Sequence, residues 1–579
     1  MSRYQDKVAV VTGSAAGIGR AIVQKLIAEG AHVLATDINR RGGADALAAE
    51  MGARCSALTV DVTKEDHADR CAVVCHSRGM SSMSPAPNVV TSVWTGELDP
   101  NRTYKLLIDG QFVEGAAGET FQCEYPFTGE KWGAVPVATD TDVDRAVRAA
   151  DKAFRSGWSQ TTPAQRAALL RKLANLVRED ERALALLQVH ENGKRLVDMQ
   201  STGALLAALA EYMAGLAETS HGYTTQSNVP GVTSYDVREP LGVVAAITPW
   251  NSPLLLLAWK LLPALAAGNT VIAKPSEVTP LSTLRLAELC MKAGFPEGVI
   301  NVVTGYAQVG RALVNHPLVH KIAFTGATST GLSIAGIASA RGARVTLELG
   351  GKSPNIIFAD ANLERAIDGV ITGIFSATGQ SCISGSRILL EQSIGDEFLE
   401  RLAQRVAALK LGDPLDPTSE IAPLASRAHL QKVLGYIDIA KGEGAKTLVG
   451  GGRPADAALR NGFFVEPTLF TGVDNDFRIA REEVFGPVGA IIRFKDEAHA
   501  VRLANDTEFG LAAALWTENV GRAHRIIPQL RAGTVWVNQY RTADLARPFG
   551  GYKHSGLGRE LGLRSLDPYT EVKSVFIAH

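Results

Sequence analysis

Residues 247–277 read ITPWNSPLLLLAWKLLPALAAGNTVIAKPSE, which is a polar string, a long apolar helical run and a short strand in direct succession. The strand, Thr270–Ala273, ends in the polar string KPSE. The wider apolar stretch 241–273 is interrupted by three prolines, Asn251 and Lys260, whereas a membrane-spanning helix needs roughly 20 nearly unbroken apolar residues. The stretch is therefore predicted to be the core of an α/β fold, with helices and strands alternating from residue 104 onward.

Composition limits the class of protein. The 579 residues are several times the ~100–200 residues typical of one domain, so two or more domains are expected. There are 59 Lys and Arg against 60 Asp and Glu, a balance that argues against a nucleic-acid or membrane-surface partner. Six cysteines cannot form a disulfide framework, and MSRYQDKVAVVTG is not a signal peptide. We expect a cytoplasmic protein.

The first 75 residues predict a partial dinucleotide-binding unit. TGSAAGIG places Gly13, Gly17 and Gly19 between a strand and a helix, where the backbone turns tightly and offers N–H groups to a pyrophosphate. Asp37 ends the second predicted strand, roughly 20 residues further on, where a carboxylate can bind a ribose hydroxyl. With a third strand, these elements make a partial βαβαβ Rossmann unit.

This opening resembles the short-chain dehydrogenase/reductases, including Asp61-Val62 after the third strand. The resemblance ends after about 65 residues, before the Tyr-x-x-x-Lys pair that the family implies; the string Tyr569–Lys573 lies far outside that context. Residues 76–102 are rich in Ser, Pro and Gly and are predicted to be a linker. Residues 1–102 are open to three interpretations: a remnant without catalysis, a second dehydrogenase activity, or an interaction module.

One cluster near the linker has the residue types of a metal site. Structural zinc sites place ligands two to four residues apart in two knuckles, and no second knuckle follows this cluster. We therefore predict no metal. The residues concerned are His67, Cys71, Cys75 and His76.

Four polar strings in the larger part follow predicted strands or helices, in the order Ile247–Asn251, Lys274–Glu277, Glu348–Gly351 and Gly379–Cys382. Together they resemble the aldehyde dehydrogenase superfamily over about residues 103–579. Further matches are Phe324-Thr-Gly326, Glu482-Glu-Val-Phe-Gly-Pro487, Pro548-Phe-Gly-Gly-Tyr-Lys553 and Ser555-Gly-Leu-Gly-Arg-Glu560.

The resemblance implies a covalent mechanism for oxidising an aldehyde to an acid. Cys382 matches the nucleophile that forms a thiohemiacetal and then a thioester. Asn251 matches the donor to the oxyanion, and Glu348 matches the general base of deacylation. Lys260 and Glu560 match positions of a proton relay, although an internal ion pair explains them equally well.

The resemblance also implies NAD as the cofactor. At Ala327 this chain lacks the serine that the family usually carries in its phosphate loop, so backbone N–H groups are expected to bind the diphosphate. Because the Glu277 carboxylate accepts from a 2′-hydroxyl and repels a 2′-phosphate, NAD is expected to be preferred over NADP. The implied cofactor-binding residues are Ile247, Thr248, Pro249, Trp250, Lys274, Glu277, Gly326, Thr328, Gly331, Glu483 and Phe485.

The substrate side departs from the family's usual pattern. Ser252 stands where many members carry Phe, which leaves a wider, more polar tunnel, while Trp259 and Phe549 match its walls. The entrance loop carries Arg541 and Arg547. Because Arg binds carboxylates through two parallel hydrogen bonds, we predict a polar or carboxylate-bearing aldehyde. The alternative is that both arginines are solvated or paired with Asp544.

By resemblance, the fold is a Rossmann-like coenzyme domain, an α/β catalytic domain and a β oligomerisation arm. The coenzyme domain is expected over 103–222 and 243–351, and the catalytic domain over 352–549. The arm and C-terminal tail are expected over 223–242 and 550–579. An arm of this kind implies a homodimer or homotetramer.

Overall fold

The chain divides into two compact units, Met1–Thr95 and Gly96–His579. Among the residues that the structure covers, no helix is long and apolar enough to cross a membrane. A computed structural model describes residues 8–12, 17–29, 32–37, 47, 51, 55–59, 99 and 101–579.

The first unit contains a parallel three-stranded sheet in the order β1-β2-β3. Val23, Val33, Leu47 and Cys55 form its buried cluster. The predicted Rossmann-like opening is confirmed, with Asp37 as the last residue of β2. Gly13, Asp61, Val62 and the cluster of His67, Cys71, Cys75 and His76 lie outside the described residues. The elements are β1 Val8–Thr12, α1 Gly17–Ala28, β2 His32–Asp37 and β3 Cys55–Thr59.

The second unit begins with a sheet of eight strands in the order β22-β14-β13-β10-β11-β12-β4-β5. Its five central strands are parallel, and β22, β4 and β5 are antiparallel additions. The chain runs from β10 through β11 to β12 on one side and returns with β13 on the other. The strand order therefore reverses beside β10, and open α/β sheets bind ligands at such a point. The strands are β4 Leu106–Ile108, β5 Gln111–Val113, β10 Val243–Ile247, β11 Thr270–Lys274, β12 Ile300–Val302, β13 Val319–Thr325, β14 Arg344–Glu348 and β22 Gly556–Leu557.

Helices cover this sheet. Thr162 caps its helix by accepting a hydrogen bond from the Gln165 backbone N–H, as its Thr-Pro start predicts. The apolar run after Asn251 is the helix Pro253–Ala267, and all but one of its 15 residues are buried. A helix that is apolar on every side is stable only when surrounded by protein. The helices are α2 Asp140–Arg155, α3 Pro163–Glu179, α4 Glu181–Asn192, α5 Leu196–Thr219, α6 Pro253–Ala267, α7 Leu281–Ala293, α8 Ala307–Asn315 and α9 Thr328–Ala340.

A second large sheet has seven strands in the order β17-β18-β19-β16-β15-β20-β21 and is parallel except for the β17–β18 pair. Its strands are β15 Pro354–Ile357, β16 Arg387–Glu391, β17 Lys446–Val449, β18 Thr468–Thr471, β19 Val488–Phe494, β20 Ala512–Trp516 and β21 Thr534–Val537. Its helices are α10 Leu363–Phe375, α11 Asp396–Ala407, α12 Arg427–Gly442, α13 Arg478–Arg481, α14 Glu497–Asn505 and α15 Val520–Ile526.

The C-terminal tail joins two sheets. It supplies β22 to the eight-stranded sheet and a long strand to an antiparallel arm of order β23-β9-β8. The predicted C-terminal tail therefore belongs partly to the eight-stranded sheet. A separate hairpin pairs β6 with β7. These strands are β6 Thr120–Glu124, β7 Lys131–Pro136, β8 Thr224–Gln226, β9 Val232–Pro240 and β23 Thr570–Ala578.

A chain that begins at residue 96 should fold, because the large hydrophobic clusters of the second unit draw only on residues from Leu106 onward. We expect a cooperative thermal transition within a few degrees of the corresponding transition of the full chain, measured by differential scanning calorimetry. Near-ultraviolet circular dichroism serves as the control for fixed packing. Loss of either signal would contradict the division of the chain at this point.

Candidate active site

The polar strings converge because four of them follow neighbouring parallel strands. Asn251 lies just beyond β10, Lys274 ends β11, Gly326 follows β13 and Glu348 ends β14. The carboxyl ends of parallel strands meet at one edge of a sheet. Cys382 reaches the same place from the turn after α10. A cavity of about 200 Å³ lies there, and its lining includes Trp250, Asn251, Gly326, Cys382, Glu483 and Phe485.

The Cys382 thiol is half-buried at the wall of this cavity. Burial raises its pKa to about 12, and the nearby carboxylates of Glu483 and Glu348 act in the same direction, while the Arg541 guanidinium lowers it. The thiolate is the reactive form of cysteine. The sulfur therefore needs a proton acceptor and a nearby cation to become a nucleophile.

Asn251 is buried and its side-chain Nδ2 donates to the backbone oxygen of Gln380 at 3.1 Å. This bond joins the loop after β10 to the segment that carries Cys382. An amide nitrogen has two donors, so the same group can donate once more into the cavity that it lines. The position suits a group that binds a developing oxyanion beside the sulfur.

Glu348 is 3% exposed, and neither carboxylate oxygen has a hydrogen-bond partner among the described residues. Burial raises its pKa well above the ordinary value and Glu560 adds to the rise, while Lys260 and Arg559 oppose it. A buried carboxyl without partners costs free energy. Its retention next to the cavity is typical of a group with a chemical role.

Lys260 and Glu560 form a buried ion pair beneath Glu348. The Lys260 Nζ lies 2.7 Å from Glu560 Oε1 and also donates to Thr325 Oγ1 at 2.6 Å. The second Glu560 oxygen, Oε2, is buried without a partner in the described part of the chain. The internal ion pair is therefore present. Both of its charges also act on the pKa of Glu348, as a role in proton relay requires.

Glu483 and Phe485, which the resemblance implies as cofactor-binding residues, both line the cavity. Glu483 accepts from the Gly351 backbone N–H at 2.9 Å, and Phe485 has a positive φ of 62°. The Phe485 ring meets Trp250 edge-on at 5.4 Å. The pair forms an aromatic wall at the cavity.

Two residues of helix α12 hold this wall, and neither belongs to a recognisable sequence motif. His429 Nε2 lies 2.7 Å from the Phe485 backbone oxygen, and its ring lies 4.9 Å from Trp250. Burial lowers the pKa of His429 to about 4, so its ring is neutral near pH 7. Lys432 donates to the Glu483 backbone oxygen at 3.2 Å. A lone His or Lys on a helix is usually a structural residue, which is why neither was singled out.

The phosphate end of the site fits a dinucleotide. Ala327 provides no side-chain cap to helix α9, so its first N–H groups are available to an anion. At Gly331 a Cβ atom would lie 2.3 Å from Leu349 Cδ2, which explains the glycine there. Thr328 Oγ1 accepts from the Gly350 backbone N–H at 3.2 Å.

The residues expected to bind the adenosine ribose lie at the ends of β10 and β11. The Thr248 N–H donates to the Lys274 oxygen at 3.1 Å, which places Ile247, Thr248 and Pro249 beside Lys274. The Lys274 ammonium is buried, its pKa is lowered by burial, and it donates to the Pro275 oxygen at 3.0 Å. Glu277 is exposed beyond it. The buried Thr248 Oγ1 has no partner in the described residues, as expected of a group that meets a ligand.

On the substrate side the structure separates the two arginines. Arg541 has a φ of 70°, and its Nη2 donates to Ser381 Oγ at 3.3 Å, next to Cys382. Its Nη1 is buried with no partner within the described part. Arg547 is exposed, and its backbone N–H donates to the Asp544 oxygen at 3.1 Å. The alternative of a solvated arginine therefore describes Arg547, and Arg541 faces the site.

The remaining predicted substrate residues form two separate contacts. The Trp259 and Phe549 ring centroids lie 5.0 Å apart, so the two predicted apolar residues pack together. Ser252 Oγ accepts from the Lys194 ammonium at 2.8 Å. Lys194 is 7% exposed, and sequence reasoning missed it because it lies in a turn between two helices without a recognised string.

Comparisons with known proteins agree over most of the chain. The profile of the aldehyde dehydrogenase family matches residues 112–575, and that of the short chain dehydrogenases matches residues 7–78. DhaS of Bacillus subtilis, itself assigned as an aldehyde dehydrogenase, is 47% identical over 480 residues, 82% of this chain and 96% of its own length.

Two further relatives are betaine aldehyde dehydrogenases. That of Brucella anthropi is 43% identical over 471 residues, 81% of this chain and 96% of its own. The crystal structure of a Staphylococcus aureus betaine aldehyde dehydrogenase in complex with NAD+ is 41% identical, with a TM-score of 0.81, over 83% of this chain and 95% of that chain.

Replacing Lys260 by Met should strongly destabilise the protein, because Glu560 would remain buried without its counter-ion. Breaking a buried pair from one side costs about 3–5 kcal/mol. Urea unfolding followed by tryptophan fluorescence measures the change in unfolding free energy. The double variant Lys260→Met with Glu560→Leu should recover much of the loss, since it removes both charges. A single variant as stable as the wild type would show that the ion pair does not anchor the site.

Proposed function

The chain belongs to the aldehyde dehydrogenase family and is an NAD-dependent aldehyde dehydrogenase, and we propose that it oxidises a polar, carboxylate-bearing aldehyde such as a semialdehyde acid. The observation that carries the proposal is the Arg541 guanidinium beside Cys382, with its buried Nη1 unpartnered among the described residues. In the described part of the chain no carboxylate lies within 4.0 Å of it. A buried cation without a counter-ion is costly, and the carboxylate of a substrate would supply the missing partner.

Arg541 also favours a substrate different from the one for which the betaine aldehyde dehydrogenases are named. Betaine aldehyde carries a quaternary ammonium group, which a guanidinium repels. A carboxylate in the same place is attracted. We therefore expect this enzyme to use betaine aldehyde poorly, although 43% of the matched residues are identical to those of the Brucella enzyme.

The chemical step begins at Cys382. Its sulfur bonds to the carbonyl carbon as the thiol releases its proton to solvent, and the Arg541 guanidinium favours the thiolate that reacts. Burial and the carboxylates of Glu483 and Glu348 oppose this ionisation. Asn251 Nδ2 and the Cys382 backbone N–H donate to the oxygen that becomes negative.

Deacylation completes the cycle. NAD, when bound, accepts the hydride that leaves the substrate carbon. Glu348 first loses its own proton by way of Lys260 and Glu560. The resulting carboxylate then takes a proton from water. The water oxygen then bonds to the thioester carbon and the carbon–sulfur bond breaks, which releases the acid and restores Cys382.

Cofactor selectivity follows from Glu277 in this proposal. Its exposed carboxylate stands beyond Lys274 at the adenosine end, where it favours the 2′-hydroxyl of NAD over the 2′-phosphate of NADP. Residues 1–102 are proposed either to add a second dehydrogenase activity or to serve as an interaction module. Assay of the chain that begins at residue 96 separates these from the aldehyde oxidation of the second unit.

The proposal extends to assembly and location. The arm strand β23 exposes Val572, Phe576 and Ile577, and apolar side chains in such a row favour burial against another copy. We propose a homodimer or homotetramer built through this arm. Cys55, Cys123, Cys290 and Cys382 are free thiols, which supports a reducing, cytoplasmic location.

Replacing Glu348 by Gln should leave a rapid burst of about one NADH per active site, followed by turnover slowed roughly 10²–10⁴-fold. Stopped-flow absorbance measures both phases. In the wild type the slow step should accelerate as pH rises, because a base with a raised pKa ionises only at higher pH; the variant should lose this dependence. Cys382→Ala should give no NADH at all, and the exposed control Glu518→Gln should change neither phase. A variant that deacylates at the wild-type rate would exclude Glu348 as the base.

Replacing Arg541 by Gln should raise KM for an ω-carboxy aldehyde about 10–150-fold, which corresponds to the roughly 1.5–3 kcal/mol of a charged hydrogen bond. The uncharged methyl ester of the same aldehyde should be affected little. Arg547→Gln removes an equal charge from the same loop and should affect neither substrate, because Arg547 is exposed. If the wild type prefers the uncharged analogue, or if both variants behave alike, the proposed substrate class is wrong.

A further inference from the structure

Lys194 is a second cation whose charge acts on Cys382. Lys194 lies in the turn between α4 and α5, is 7% exposed and donates only to Ser252 Oγ at 2.8 Å among the described residues. The acidic residue that raises the pKa of Lys194 is Asp198. Asp198 already binds the Arg195 guanidinium through both carboxylate oxygens, at 2.7 and 2.9 Å. The Lys194 ammonium therefore lacks a counter-ion within the described chain, as Arg541 does.

The turn that carries Lys194 is fixed from three sides. The Glu191 carboxylate accepts from the backbone N–H groups of Leu281 and Ser282 at the start of α7. Asn192 Oδ1 accepts from the Lys194 backbone N–H at 3.0 Å. Gly193 has a φ of 74°, and a Cβ there would lie 2.9 Å from both Pro126 and Pro423. Lys194 is consequently held toward Ser252 and cannot withdraw by a shift of the backbone.

Lys194 and Arg541 bind the two segments that carry Asn251 and Cys382. Lys194 binds the residue after Asn251, and Arg541 binds the residue before Cys382. The Asn251–Gln380 hydrogen bond joins these two segments. The Arg541 charge adds to the lowering of the Lys194 pKa by burial, and each cation interacts favourably with the Cys382 thiolate. Burial lowers the pKa of Lys194 to about 8, so most of it is charged at pH 7.

We infer that Lys194 is a second specificity-determining cation, which together with Arg541 holds the carboxylate of an anionic substrate beside Cys382. Two buried cations so close together are unfavourable without an anion between them. Ser252 makes the arrangement feasible, since its small hydroxyl leaves space for the lysine and orients the ammonium. This inference rests on the proposed function, because a second cation matters to turnover only when the aldehyde carries a negative charge.

The test uses alkylation of Cys382 rather than aldehyde turnover, so that it can fail independently of the proposed substrate class. Iodoacetate carries a carboxylate and iodoacetamide does not, while both form the same thioether bond with release of iodide. Mass spectrometry of the Cys382 peptide gives the two rates. In the wild type the iodoacetate-to-iodoacetamide ratio should exceed that of free N-acetylcysteine at the same pH.

Lys194→Met should lower this ratio roughly five- to tenfold, whereas Lys194→Arg, which keeps the charge, should retain most of it. Lys172→Met, on the exposed face of α3, should leave the ratio unchanged. An unchanged ratio in Lys194→Met would overturn the inference. Equal slowing of both reagents, or equal loss in the Met and Arg variants, would do so too, because either result assigns Lys194 a structural role. Failure of the proposed function appears elsewhere, as a wild-type preference for the uncharged aldehyde.

Discussion

The buried ion pair between Lys260 and Glu560 fixes the relative position of parts that lie 300 residues apart. Lys260 belongs to α6, the apolar helix that begins just after Asn251. Glu560 exchanges two backbone hydrogen bonds with Phe549, whose ring packs on Trp259 of the same helix. Because neither charge can be left alone in the interior, Asn251 and the packed rings of Trp259 and Phe549 keep one arrangement.

Charge is distributed unevenly across Cys382. On the side of the cavity formed by α12 and Glu483, the ionisable groups are Glu483, held by Gly351, the cation Lys432 and a neutral His429. On the substrate side are Lys194 and Arg541, and the field of these cations favours the thiolate that Glu348 and Glu483 oppose. Carboxylates and cations therefore act in opposite directions on the pKa of Cys382. The carboxylate of a bound substrate would offset the effect of the cations. Binding and activation are coupled in this arrangement.

The chain pattern predicted the fold and much of the site because the informative strings follow parallel strands, whose ends must meet. It did not distinguish Arg541 from Arg547, six residues apart on one loop. The difference arises because the backbone at Arg541 is left-handed, which turns its side chain inward. None of the neighbouring residue types predicts this conformation. Lys194 was missed for a related reason: its importance depends on Ser252, which is close in space but distant in sequence. His429 gained its role only through the carbonyl of Phe485.

The tail that joins two sheets has a consequence for synthesis on the ribosome. Until residues 556–578 have emerged, the outer edge of β14 has no β22, and β9 has only the short strand β8 beside it. Unpaired edges of this kind are templates for association with other chains. The nascent protein therefore carries an open edge on β9 and another on β14 from the synthesis of these strands until residues 556–578 have emerged. Protection of those edges by a chaperone, or by a second nascent chain on the same message, would act on the final step of folding, which is also the step that brings Glu560 under Glu348.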